Sequence, residues 1–89
     1  MKQIIFAKSF RSAYRERIVP HPHLVKIFRK KFMLFKNDKS LAELYNHKLG
    51  GKMSGLSAFS LGYDLRVIYK ETKSVIILVD IGTHPQVYE

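Results

Sequence analysis

The stretch SAFSLGYDLRVIYKETKSVIILVDIG, residues 57–82, decides the fold. Two strand-like runs, SAFSLG and LRVIYK, are split by Gly62-Tyr63-Asp64, which has the composition of a tight turn. KETKSV then connects the second run to a third, VIILVDIG. Connections this short leave only antiparallel neighbours. The third run is the most apolar, so it is predicted to lie inside the sheet and not at its rim. In LRVIYK, alternation puts Leu65, Val67 and Tyr69 on one face and Arg66, Ile68 and Lys70 on the other. An arginine in mid-strand beside Ile68 stands out. Its plainest explanation is an exposed side chain paired with Asp64 or Asp80 across strands.

Upstream, KQIIFAKSF reads as a strand from Gln3 to Ala7. Phe10, Tyr14 and Ile18 then recur four apart while Lys8, Arg11, Arg15 and Arg17 fill other faces, an amphipathic helix. Pro20 disfavours helical geometry at Val19, and Pro22 suits the first turn of a new helix. That helix is predicted from Pro22 to Lys36, with Leu24, Ile27, Phe28, Phe32 and Phe35 as its apolar stripe and Lys26, Arg29 and Lys30 elsewhere. KNDKS reads as a turn, after which Ser40 and Glu43 have the spacing of a capping box for a short helical turn through Leu44. NHKLGGKMSG, residues 46–55, carries three glycines and reads as a loop or a twisted edge. The order β-α-α-β-β-β predicts one α+β domain over residues 1–89: a twisted, mainly antiparallel sheet with both helices packed on one face. The first strand is expected to pair with the last.

The chain has 89 residues, 46% of them hydrophobic and 12% aromatic, enough for one modest core. It contains no cysteine, which excludes disulfides and cysteine zinc sites. The apolar patch IIFA is too short for a signal-peptide core or a membrane span, so a soluble cytoplasmic protein without a membrane partner is expected. The net charge of +9 is unevenly spread. Residues 1–52 hold 13 Lys and Arg against Glu16, Asp38 and Glu43, whereas residues 53–89 hold Arg66, Lys70 and Lys73 against four acids. A phosphate backbone is the first partner this field suggests, and an acidic protein covering it is the second. His21 and His23 lack a third ligand at metal spacing, so no metal is expected. No cofactor is expected either, because LGGKMSG leads into a strand instead of a helix. What remains is a set of polar residues near strand ends: His47, Lys48, Lys52, Asp64, Arg66, His84 and Tyr88. Lys48 and Lys52, with Lys30 of the second helix, are the candidates for binding an RNA backbone. The segment DIGTHPQVYE, residues 80–89, follows a buried strand and is expected to be a working part.

HKLGGKMSGLSAFSLGYDLRVIYKE followed by IILVDIGTHPQVY resembles the RelE/ParE superfamily of toxins from type II toxin–antitoxin systems, closest to its YafQ-type mRNA interferases. Three ordered motifs within residues 46–88 carry the likeness: His-x-Leu-x-Gly, Asp-x-Arg-Val-Ile-Tyr and Gly-Thr-His-x-x-Val-Tyr. The resemblance implies a metal-independent endoribonuclease that cuts mRNA on the ribosome by attack of the RNA's own 2′-hydroxyl, held in check by a cognate antitoxin. It also implies site residues. His84 and Tyr88 stand where YafQ-type toxins carry a His and an aromatic, His47 and Asp64 where they carry a loop His and a hairpin Asp. Arg66 stands where RelE-type members place a phosphate-contacting Arg. Two positions depart: Ser60 replaces a further active-site His, and Asp80 replaces a basic residue, putting a charge that repels phosphate next to Gly-Thr-His. Arg66 is expected to supply the missing positive charge from the neighbouring strand. Two rival readings follow from the same fold: a ParE-like gyrase poison, and a non-catalytic module that binds RNA or antitoxin.

Overall fold

The computed structural model describes residues 2–88. Strand β1 (Gln3–Phe6) leads into helices α1 (Lys8–Arg17) and α2 (Pro22–Asn37). A 3₁₀ turn (Ala42–Leu44), a two-residue strand β2 (His47–Lys48) and a second 3₁₀ turn (Gly51–Met53) come next. Strands β3 (Ser57–Gly62), β4 (Leu65–Glu71) and β5 (Val75–Thr83) form the meander, and a short helix α3 (His84–Tyr88) ends the described chain. The sheet order is β1-β5-β4-β3-β2. β1 pairs with β5 in parallel, Gln3 opposite Val75, and every other neighbour is antiparallel. No helix among the described residues is long and apolar enough to cross a membrane.

The expected order therefore holds, with two additions: the glycine-rich segment contributes β2 as an edge strand, and the tail is helical. One local expectation is corrected. Ser40 and Glu43 form no capping box, because the Ser40 hydroxyl donates to Asp38 and Glu43 accepts from Lys31 Nζ at 2.6 Å. The 3₁₀ turn has Leu41 at its N-cap, with no side-chain hydrogen bond.

Both long helices cover one face of the sheet. Phe10, Ala13 and Ile18 of the α1 segment and Phe28 and Phe35 of α2 meet Phe59, Leu61, Leu65, Val67, Tyr69, Leu78 and Ile81 in one buried cluster. Phe35 stacks on Phe59 with ring centroids 4.2 Å apart. Burial pushes the Tyr69 hydroxyl up from its ordinary pKa, and that hydroxyl donates to Asn46 Oδ1 at 2.6 Å. Asn46 Nδ2 in turn donates to the Lys39 carbonyl, which ties the start of β2 to the core. The Tyr63-Asp64 turn has φ of 55° and 80°, both positive, as the tightest hairpins of right-handed twist require. On β5, Ile68 pairs with Asp80 but Tyr69 with Leu78, so Val79 is an inserted residue. This bulge lets Leu78 and Ile81 both face the helices.

Candidate active site

The other face of the sheet is not bare. Ala58 of β3, Ile68 of β4 and Val87 of α3 are buried together, with Leu49, Met53, Leu56, Val79 and Tyr88 packed around them. This second small core folds the loop 49–56 and α3 down onto the sheet. Thr83-His84-Pro85-Gln86 begins α3 in the manner of a capping box: Gln86 Oε1 accepts the Thr83 N–H at 2.8 Å. Pro85 sits in the first turn, where an N–H is not needed. Val87 then points to Ile68, while His84 and Tyr88, four apart, share another flank with ring centroids 4.5 Å apart.

Between that flank and β2 lies an open cleft of about 340 Å³, lined by His47, Leu49, Arg66, His84 and Tyr88. Four of the five residues proposed from the sequence as catalytic thus meet at one surface. Arg66 is half-buried and, among the described residues, not paired with an acid. Its Nη1 donates to the Leu65 carbonyl at 3.1 Å and to Ser60 Oγ at 3.4 Å. Ser60, its cross-strand partner, is buried and also accepts the Gly62 N–H at 3.0 Å. The serine that departs from the YafQ pattern therefore holds the arginine. Across the cleft, His47 Nδ1 lies 2.8 Å from the Tyr45 carbonyl. A carbonyl only accepts, so Nδ1 carries a proton and the neutral ring keeps its lone pair on Nε2. Burial raises the pKa of the Tyr88 hydroxyl, and the positive charge of Arg66 opposes that rise.

The remaining candidates lie elsewhere. Asp64 is exposed in the β3–β4 turn, one residue beyond the Leu65↔Thr83 pair, at the His84 end of the sheet but outside the cleft lining. Lys48 and Lys52 are exposed on β2 and on the second 3₁₀ turn, flanking Leu49. Lys30 is exposed on α2, which packs against the opposite face of the sheet. Asp80 does not charge the cleft as expected. Its Oδ1 accepts from Arg17 Nη1 at 3.1 Å and from the Ile81 N–H at 2.8 Å. Arg17 was missed from the sequence because its partner is 63 residues away. The capping spacing of Thr83 and Gln86 was there to be read.

Comparison with known proteins decides the family. The model of the family described as the bacterial toxin of type II toxin–antitoxin system, YafQ, matches residues 2–89. The chain belongs to the YafQ family of toxins. Among solved structures, a histidine-to-glutamine mutant of YafQ from Escherichia coli is 18% identical, with 100% of each chain covered and a TM-score of 0.84. The DinJ–YafQ complex from E. coli is 21% identical over 100% of each chain, with a TM-score of 0.79. A YoeB/ParE toxin from Agrobacterium tumefaciens is 14% identical over 92% of this chain and 98% of that one, at 0.73. At these identities the YafQ structures establish the shared fold. No curated protein sequence matches significantly.

Proposed function

We propose that this YafQ-family chain is the toxin of a type II pair and acts as a ribosome-associated endoribonuclease on mRNA. The observation that carries the reading is the cleft itself, where two imidazoles, a guanidinium and a phenol converge on one open surface. That set can perform transphosphorylation without a metal. One imidazole takes the proton of the 2′-hydroxyl as its oxygen attacks phosphorus, and the other protonates the departing 5′-oxygen. His47 Nε2, with its lone pair directed by the Tyr45 bond, suits the base. His84 is the main proton-transfer group on the leaving side. Arg66 holds the phosphate and the charge that builds on it in the transition state. Tyr88 orients the base or phosphate, by stacking or through its hydroxyl. Asp64, exposed in the β3–β4 turn outside the cleft lining, is the reserve acid–base group.

The partner reading follows the same line. In the E. coli complex YafQ is bound to DinJ. A cognate antitoxin with acidic residues and apolar anchors suits the basic surface here, where net charge is +9. The test is induced expression with mapping of mRNA 5′ ends. Cuts at a defined codon position that leave 5′-hydroxyl ends are expected, and co-expression of the neighbouring small gene should abolish them. Growth arrest with SOS induction and no cuts would instead mean gyrase poisoning, and 5′-phosphate ends would exclude 2′-hydroxyl attack.

A further inference from the structure

β1 covers the outer edge of β5 only from Val75 to Leu78. Beyond that pairing, side chains from α1 take over. Ser9 Oγ donates to the Val79 carbonyl at 2.7 Å. Arg17 Nη1 donates to the Ile81 carbonyl at 3.0 Å and to Asp80 Oδ1 at 3.1 Å. Asp80 sits at the bulge, and its carboxylate turns back onto the Ile81 N–H. The end of α1 is thus tied to the end of the strand that delivers His84.

Gly82 reports how closely this is built. A Cβ there would lie 2.9 Å from Arg17 Nη1, 2.6 Å from Gln86 Oε1 and 3.0 Å from Gln86 Cβ. Arg17 and Gln86 therefore converge on the space that a side chain at 82 would fill. Gln86 is also the residue whose Oε1 holds the Thr83 N–H at the start of α3. Contacts run without a break from α1 through Arg17 to the end of β5 and on to α3, whose other flank carries His84 and Tyr88.

We propose that Arg17, anchored by Asp80, is a positioning residue that sets the place of His84 and Tyr88 in the cleft. Asp80 on this view is a foothold for Arg17 and not a charge of the site. The proposal rests on the nuclease reading for its kinetic consequence, but not for its structural one. The side chains of the pair are 29% and 30% exposed, and ion pairs so open to water add little to global stability. Its effect is therefore expected in geometry. Small misplacements of catalytic groups by distant changes cost up to about 10²-fold in rate.

The experiment compares Arg17→Ala, Arg17→Lys and Asp80→Asn for cleavage kinetics, thermal unfolding and the nuclear Overhauser effect between the His84 and Tyr88 rings. Arg17→Ala should lower kcat roughly 10- to 100-fold with KM and melting little changed, and should weaken that ring–ring effect. Arg17→Lys should recover part, since an ammonium lacks the guanidinium fork. Asp80→Asn keeps an oxygen acceptor for both Arg17 and the Ile81 N–H, so it should keep most activity. Should Arg17→Ala fail to fold, Arg17→Lys and Asp80→Asn carry the test. The proposal is overturned if folded Arg17 variants keep wild-type kcat and the ring contact. It is equally overturned if activity falls only in step with the folded fraction, or if Asp80→Asn acts chiefly by tightening RNA binding. A wild-type protein that cuts nothing would sink the nuclease reading, and the ring contact would still decide the positioning claim.

Discussion

The two faces of the sheet are built to different standards. Under the helices, 14 of the described residues are buried in one cluster, five of them aromatic. On the other face, among the described residues, only Ala58, Ile68 and Val87 are buried together. The first face holds the fold; the second holds a loop and a five-residue helix in place above it. A short helix is marginal by itself, so α3 depends on that thin apolar contact and on the Gln86 cap. The face with little burial carries the cleft proposed as the active site, and its stability is local.

Substitutions separate the two. Phe59 is fully buried and stacks on Phe35, so Phe59→Ala should cost about 3–5 kcal/mol, a large part of a small domain's roughly 5–15 kcal/mol. Chemical denaturation would register it as a large drop in midpoint, with function lost only through unfolding. Val87→Ala should cost only about 1.5 kcal/mol from two lost carbons. It should nevertheless abolish most activity in a folded protein, because α3 loses its foothold. Equal losses of stability at both positions would erase the distinction between the faces.

Much of the helix-side face was legible in the sequence, since its residues recur at periods of two or four and burial there is nearly complete. Leu65, Val67 and Tyr69 against Arg66, Ile68 and Lys70 is the clearest instance. The second core was not legible, because Leu49, Met53 and Leu56 lie in an aperiodic loop and only tertiary contact makes them a floor. Ile68 on the supposedly open face was the one clue. β2 is two residues long, below what alternation can reveal. The cleft residues were found through motif likeness, while the contacts around them, Ser60 to Arg66 and Arg17 to Asp80 behind α3, depend on distances no spacing encodes.

Charge offers a finer contrast between the faces. Neutralising Lys48 and Lys52 together should weaken RNA binding and flatten its salt dependence, by roughly 0.7 in log–log slope for each single-strand phosphate contact removed. Lys30 stands on the helix layer, so its removal sharpens the map: a reduced slope there means that RNA, ribosomal or messenger, reaches the helix face too. An unchanged slope in the Lys48/Lys52 variant would place the RNA elsewhere.

The smallest effect is expected at the foot of the sheet. Glu71 accepts from Lys2 Nζ at 2.8 Å and is also bonded to Lys39. These bonds, Lys2 first, lower its pKa from the ordinary 4.5. A depressed carboxylate contributes stability that is fully present above its unfolded value and is lost as pH falls through the folded one. Glu71→Gln should therefore lower stability slightly near neutrality and flatten the acid limb below pH 4.5, read by urea titrations at several pH values. An acid limb identical to wild type would remove Glu71 from that account.

The central claim is that the cleft between α3 and β2 cuts RNA through His84, and a cleavage assay of purified His84→Ala tests it most directly. His84 is exposed, and its ring contact with Tyr88 lies at the open cleft, so the variant should fold and melt nearly as wild type does. Loss of a placed proton donor should slow cleavage roughly 10²–10⁴-fold on the same messages. A folded His84→Ala protein that cuts the same messages at the same sites and rate would contradict the account.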